Sequence, residues 1–146
     1  MRFIGISFIC ICGLLATASG QQSKPNFSGK WQTNGEKSQI HSGKAAALTL
    51  SIEQKGASIH VVRTAKSSDG KDSVVEFTCT TDGKDCDAGS TKVSLWYDGM
   101  SLVEMDVSDA QVLTTKLTLD NPTTIVAVVS YMSPKAEADN FVLQKL

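Results

Sequence analysis

The residues best placed for covalent chemistry are two cysteines, Cys79 and Cys86, on either side of an Asp82-Gly83 pair. Asp-Gly favours a two-residue hairpin turn, because Gly readily adopts positive φ and Asp tolerates it. Counted outwards from such a turn, the cysteines lie directly opposite each other, at a separation that a disulfide can bridge. A redox or metal-binding pair normally has Cys-x-x-Cys spacing instead. We therefore predict a structural disulfide, although a three-residue loop over 81–83 would remove this opposition.

Possible metal ligands do not form a convincing set. The acidic segment 82–89 faintly resembles a calcium-binding loop, but the distal bidentate Glu of such a loop is absent. His41 and His60 are the only histidines, and no third zinc ligand follows at a suitable spacing. We predict that the protein binds no metal and needs no cofactor.

Signals for catalysis and for nucleic-acid binding are equally weak. The sequence contains no nucleophile elbow, no phosphate-binding Gly-rich loop and no paired catalytic carboxylates, so we do not expect an enzyme. The formal net charge is −1, and the Lys and Arg residues are scattered, so a nucleic-acid partner is not expected. With 41% hydrophobic and 20% charged residues, the composition is that of a folded globular chain rather than a disordered one.

The elements that would position these side chains are short segments in which apolar and polar residues alternate. A period of two, rich in Val, Ile and Thr, predicts half-buried β-strands, and the turn dipeptides between them predict hairpins. Short gaps require antiparallel neighbours, and curling a long meander into a barrel removes its exposed edges. We predict an all-β, up-and-down barrel of about 8–10 strands. The alternating segments are Leu48 to Glu53, Ile59 to Val61, Val75 to Cys79, Val93 to Tyr97, Val103 to Val107, Leu113 to Leu119, Thr123 to Met132 and Phe141 to Lys145.

Side-chain parity predicts the register of individual hairpins, because a slip of one residue moves every apolar side chain to the other face. A two-residue loop at Gly56-Ala57 pairs Ile52 with Val61, and a three-residue loop at 68–70 pairs Val61 with Phe77. A three-residue loop at 97–99 pairs Val93 with Val103, and Thr91 with Met105. Two other segments lack strand character: residues 36–47, which suit a short helix or a lid-like loop, and the polar stretch 131–140.

The first twenty residues have the three-part layout of a secretory signal peptide. Met1-Arg2 is a short positive start, Phe3 to Leu15 is an apolar run, and small residues follow up to Gly20. The apolar run is shorter than the roughly 20 residues of a membrane-spanning helix. We predict a signal peptide over 1–20, cleaved after Ala18 or Gly20, and one domain over 21–146. The protein would then be secreted or periplasmic, without stable membrane insertion.

The beginning of the predicted domain carries a family resemblance. Phe27-Ser28-Gly29-Lys30-Trp31 resembles the first-strand Gly-x-Trp signature of lipocalin-like (calycin-type) barrels. It is closer still to a group of small bacterial exported proteins that start with Asn-Phe-Ser-Gly-x-Trp. The same group is similar at Glu36-Lys37-Ser38, at Leu48 to Glu53 and at Thr80 to Cys86. The resemblance implies a barrel, closed at one end by Gly29 and Trp31.

In lipocalins this Trp packs under an Arg near the last strand, and here the only Arg after the leader is Arg63, in mid-chain. Lys145 is therefore expected to cover the indole of Trp31 by a cation–π contact.

Lipocalins bind small apolar ligands, so the resemblance implies such a ligand in the barrel interior, with no enzymatic activity. An alternative of another class is a packed barrel that acts as an envelope or surface interaction module, suggested by the strongly apolar run Thr124 to Val129. A ligand-sized void would favour binding, and a filled interior would favour the module. The sequence predicts no particular protein partner. The candidate residues that line the interior are Leu50, Ile52, Val61, Val75, Phe77, Leu95, Val103, Met105, Leu117 and Phe141.

Overall fold

The structure, a computed structural model, describes residues 23–146, so the predicted leader lies outside the described residues and its prediction stays untested. Within 23–146, no helix is long and apolar enough to cross a membrane. The described chain forms ten β-strands: β1 (Gly29–Thr33), β2 (Ala47–Lys55), β3 (Ser58–Lys66), β4 (Asp72–Thr80), β5 (Asp82–Ala88), β6 (Thr91–Asp98), β7 (Ser101–Val107), β8 (Val112–Asn121), β9 (Thr124–Ser133) and β10 (Lys135–Lys145).

All ten strands belong to one antiparallel sheet in the order β4-β3-β2-β1-β10-β9-β8-β7-β6-β5. The first strand pairs with both β2 and β10, which places the first and last strands of the described residues side by side in the middle of the sheet. The strands at the two ends of this order, β4 and β5, meet at the Cys79–Cys86 disulfide, where the Cα atoms are 5.7 Å apart. The sheet is thus a nearly closed barrel, and the predicted all-β meander is confirmed.

Two of the predicted registers are confirmed. Ile52 pairs with Val61 across a two-residue turn, and Val61 pairs with Phe77. In the second hairpin the amide of Gly70, at φ 84°, donates to the Ser67 carbonyl at 3.1 Å. Both hairpins place apolar side chains on one face, as the parity argument requires.

The predicted register of β6 and β7 is wrong. Val93 pairs with Asp106 and Trp96 pairs with Val103, because the hairpin closes with a two-residue turn at Gly99-Met100 rather than a three-residue loop. Gly99 supplies the positive φ, 61°, that such a turn requires. Every side chain of β7 is consequently reversed relative to the prediction: Leu102, Glu104 and Asp106 face the interior, and Val103 and Met105 lie on the outer face.

The disulfide is confirmed, but the hairpin expected to carry it does not form. Residue 81 alone separates β4 from β5, and its amide donates to the Ala57 carbonyl at 2.9 Å. From Asp82 onward the chain pairs with β6, with a register shift between Asp82 and Asp85. The covalent bond therefore links two strands that are not ladder neighbours, at the seam of the barrel.

The two segments without strand character behave differently from each other. Residues 36–46 form an irregular connection rather than a helix, and Gln39 makes an isolated bridge to Asn140. The stretch 131–140 is not a loop, because β9 continues to Ser133 and β10 starts at Lys135. A register shift between Ala136 and Asp139 leaves the Asp139 carboxylate buried, so the polar residues that suggested a loop belong to an irregular strand.

Candidate functional site

One end of the barrel is closed by Trp31. The indole is fully buried, and its Nε1 donates to the Phe27 carbonyl at 3.0 Å. Lys145 Nζ lies 5.2 Å from the centre of the Trp31 ring, which is the predicted cation–π contact. Gly29 has φ 143°, and a Cβ built there would lie 2.7 Å from Lys145 Cε. The Gly-x-Trp spacing is thus explained, since Gly leaves room for the lysine stem that covers the indole.

The segment before β1 completes this closed end. Gln54 accepts a hydrogen bond from the Phe27 amide at 3.1 Å and donates to the Tyr97 hydroxyl at 2.9 Å. The same hydroxyl donates to the Pro25 carbonyl at 3.2 Å. Burial raises the pKa of Tyr97, against the opposing effect of the hydrogen bond from Gln54. This half of the interior is filled by protein.

The opposite end contains a cavity of about 170 Å³. Most of its wall is apolar, and its rim includes the exposed residues Lys44, Ser73 and Gln111, so the cavity opens towards solvent at this end. The lining residues are Lys44, Ala45, Leu48, Arg63, Ala65, Ser73, Val75, Gln111, Leu113, Thr115, Val129, Tyr131 and Phe141.

An ion cluster lies inside the barrel next to this cavity. Arg63, on the inner face of β3, reaches across to β7, where Nη1 pairs with Glu104 and Nη2 lies 2.5 Å from Asp106 Oδ2. The side chain of Arg63 is 12% exposed and those of the two acids are 5% and 4% exposed. The buried guanidinium therefore forms part of the cavity wall with two carboxyl groups against it.

Burial sets the protonation of this cluster. It raises the pKa of Glu104 to about 8, against the pull of Arg63, and the charge and hydrogen bonding of Asp106 raise it further. For Arg63, burial acts to lower the pKa, but the charges of both acids outweigh it and raise the pKa above its usual range. Two carboxylates held by one cation in a poorly solvated interior favour one bound proton, which we place on Glu104.

Asp106 also has an unsatisfied atom. Among the residues that the structure describes, its Oδ1 is buried without any hydrogen-bond partner. Buried polar atoms of this kind are rare, because leaving one unpaired costs about 1–3 kcal/mol. A proton shared with Glu104, or a donor from a bound molecule, would satisfy this oxygen.

The connection over 36–46 is fixed to the rim of the cavity by the buried carboxylate of Asp139. This group accepts hydrogen bonds from the amides of His41 and Ser42 at 2.7 and 2.8 Å, and from the Ser42 hydroxyl. Its other donor is the Tyr131 hydroxyl at 2.9 Å. Burial acts to raise the pKa of Asp139, but these hydrogen bonds outweigh it and hold the pKa below its usual range. Burial also raises the pKa of Tyr131 to about 12.

The candidate lining residues named from the sequence fall into three groups. Val75 and Phe141 line the cavity. Val103 and Met105 lie on the outer face, and Val103 borders a shallow depression beside Trp96 and Lys116, because of the reversed register of β7. The others are buried in the packed core: Leu50, Ile52, Val61, Phe77, Leu95 and Leu117.

Sequence reasoning missed the most polar part of the site. Arg63 continues the inward series of Ile59 and Val61, so its spacing already placed a cation on the inner face of β3. That signal was available from the sequence. The acids that pair with it were not recognisable, since Glu104 and Asp106 alternate with apolar residues like ordinary surface positions.

The histidines do not form a site. His60 lies on the outer face of β3, with Nδ1 2.9 Å from the Thr78 hydroxyl and Nε2 3.4 Å from Glu76. Over residues 23–146, no three potential ligands among His, Cys, Asp and Glu come together in a way that could hold a metal ion.

No protein-family model and no curated protein matches the chain. Among solved structures, the fold is similar to that of the wild-type fluorescent protein UnaG, with a TM-score of 0.58 and 18% sequence identity over 82% of this chain and 97% of that one. Two single-site variants of UnaG give TM-scores of 0.58 and 0.56, at 18% and 17% identity, and cover 82% of this chain and 96% and 95% of theirs. The likeness establishes a calycin-type β-barrel fold, as the Gly-x-Trp resemblance implied.

Proposed function

We propose that the protein is an exported, non-enzymatic barrel that binds one small molecule in the cavity beside Arg63. The observation that carries this proposal is the division of the interior: one half is filled around Trp31, and the other holds about 170 Å³ of space with a largely apolar wall. Small barrels commonly hold one ligand in such a place. Export is supported by the leader pattern and by the disulfide, which persists in oxidising compartments.

The cavity limits the size of the ligand. An apolar protein cavity of about 150 Å³ can hold a molecule as large as benzene. A compound with one ring therefore fits the space beside Phe141 and Val129, and a larger one would extend through the open end past Lys44. The apolar wall supplies most of the binding free energy, at about 25 cal/mol per Å² of apolar surface buried.

A second candidate function is the packed interaction module. The inward residues Ile125, Ala127 and Val129 of β9 are buried, whereas Val126 and Val128 on its outer face are only half-buried. An outer apolar surface of this kind suits contact with a partner and requires no cavity. The two candidates differ in which face of the barrel is used.

The test compares a substitution that fills the cavity with one on the opposite face of the same strand. Ala65 lines the cavity, and its neighbour Thr64 is on the outer face of β3, so Ala65→Phe and Thr64→Phe add the same ring to the two sides. We expect a panel of hydrophobic dyes to bind the wild type and Thr64→Phe equally, and to bind Ala65→Phe at least tenfold more weakly. Native mass spectrometry of protein from its natural source checks for a retained ligand. Absence of dye binding to the folded wild type, with no retained ligand, would favour the module.

A further inference from the structure

The charges around Arg63 determine which ligands the cavity accepts, if it binds ligands as proposed above. Within residues 23–146, Arg63 is the one arginine, and both Glu104 and Asp106 hold its guanidinium. An anionic ligand would have to compete with one of these carboxyl groups. Displacing a buried carboxylate from its partner is strongly unfavourable, because the displaced charge stays in a poorly solvated interior.

The other charged groups at the cavity do not offer a better anion site. Lys44 is exposed at the rim, with Nζ 5.4 Å from the centre of the Tyr131 ring, so water and salt screen its charge. Asp139 lies beyond Tyr131 and carries a negative charge of its own, held by hydrogen bonds. The net charge of the buried groups at the site is therefore zero or negative.

The unpaired acceptor of the cluster can be satisfied by the proton of Glu104. Among residues 23–146, Asp106 Oδ1 has no other hydrogen-bond partner, and Asp106 pairs across the sheet with Leu113, whose side chain lines the cavity. The Asp106 carboxylate is thus at the same level of the barrel as the cavity, and the Arg63 side chain with which it pairs is part of the cavity wall. The two acids do not line the cavity, so a ligand meets the cluster at Arg63, whose guanidinium both acids already hold.

We propose that the cavity takes a small apolar molecule that carries no negative charge, and that it discriminates against carboxylates. The protonation of Glu104 supports this preference, because a cluster with one bound proton is neutral overall and leaves no positive charge for an anion. The specificity is then a property of the two acids rather than of the apolar wall.

Three one-ring probes with different head groups test the proposal: benzyl alcohol, benzylamine and benzoate, each measured at pH 7 by displacement of a dye that binds the wild type. We expect benzyl alcohol or benzylamine to bind at least tenfold more tightly than benzoate. Replacing both acids, in Glu104→Gln/Asp106→Asn, leaves Arg63 without a counter-charge. This variant should bind benzoate at least tenfold more tightly than the wild type does, with the order of the probes reversed.

The control variant Glu53→Gln/Asp87→Asn makes the same two types of substitution at exposed positions and should keep the wild-type order. If the double variant in the cluster does not fold, as judged by circular dichroism, the order of the probes on the wild type decides the question. Benzoate binding as tightly as benzyl alcohol overturns the inference and leaves the proposed function standing. If the dye binds but neither benzyl alcohol nor benzylamine displaces it, the inference is likewise overturned and the proposed function still stands. Absence of any dye or probe binding overturns both.

Discussion

The ion cluster inside the barrel makes a prediction about stability that does not depend on any ligand. Burial raises the pKa of Glu104 from 4.5 to about 8. Replacing Glu104 by Gln removes this titration, because the amide cannot ionise. In the folded protein Glu104 keeps its proton up to about pH 8, whereas in the unfolded chain it loses the proton near pH 4.5. Between these values the folded state binds one proton more, so the free energy of unfolding falls as pH rises.

The size of the effect follows from the two pKa values. One bound proton corresponds to a slope of about 1.4 kcal/mol per pH unit. Over the window from pH 4.5 to 8, the wild type loses at most roughly 5 kcal/mol of stability through this group. The Glu104→Gln variant lacks this loss, since its amide stays neutral at every pH. Its stability relative to the wild type should therefore increase steadily from pH 5 to pH 8 and stay constant above that.

Urea unfolding, followed by tryptophan fluorescence from pH 5 to 9 at constant ionic strength, measures this difference. The control is Glu53→Gln, because Glu53 is an exposed residue of β2, and its curve should run parallel to that of the wild type. Asp139 does not interfere, since its lowered pKa places its own transition below this window. A Glu104→Gln curve that runs parallel to the wild type from pH 5 to 8 would refute the reasoning and show that Glu104 is ionised in the folded protein.

Three further predictions concern the ends and the seam of the barrel. Gly29→Ala should lower the free energy of unfolding by about 1–3 kcal/mol in urea titrations, because the φ of 143° at Gly29 and its close contact with the Lys145 stem disfavour a Cβ. The control is Gly35→Ala, which should have little effect because a Cβ at Gly35 would lie in open space. Asp139→Asn should speed hydrogen–deuterium exchange over 36–46, because it weakens the hydrogen bonds that hold this connection. In the wild type the same increase in exchange is expected as the pH falls through the lowered pKa of Asp139. Unchanged exchange would show that the carboxylate does not hold this connection. Replacing Cys79 and Cys86 by Ser should cost about 2.5 kcal/mol in the chain-entropy estimate for this short loop, and peptide mapping without reductant should find the linked peptide in the wild type.

Much of the fold could be predicted because its determinants are local. Alternation identifies a strand within a few residues, and a turn dipeptide with Gly at positive φ fixes the partner strand. The β2–β3 and β3–β4 registers follow from these two facts, since only one loop length places Ile52, Val61 and Phe77 on a common face. The Gly29–Trp31 spacing was equally informative, because Gly29 has a φ of 143°, which residues with a Cβ rarely adopt, and because a Cβ there would displace the Lys145 stem that covers the indole.

The candidate site could not be predicted in the same way, because its determinants are distant in sequence. Parity assigns the apolar residues of β7 to the interior, and it failed there because Glu104 and Asp106 are buried only in combination with Arg63 on β3. No local pattern distinguishes an acid that will find a buried cation from an acid that faces water. The Asp139 carboxylate is a similar case, since its donors at His41 and Ser42 precede it by 98 and 97 residues.

The cavity itself results from side-chain volume and from the position of the ion cluster. Towards the open end, inward positions are occupied by small residues such as Ala45, Ala65 and Ser73, whereas the closed end contains Phe27 and Trp31. Small residues alone would permit the neighbouring strands to move inward and fill the space, as cores usually do. Here Arg63 reaches across from β3 to β7, and shortening that distance would disturb a guanidinium that is already held by two carboxyl groups. The same cluster therefore opposes closure of the space and sets the polarity of its inner end, so we expect a change in its charge to alter ligand preference as well as stability.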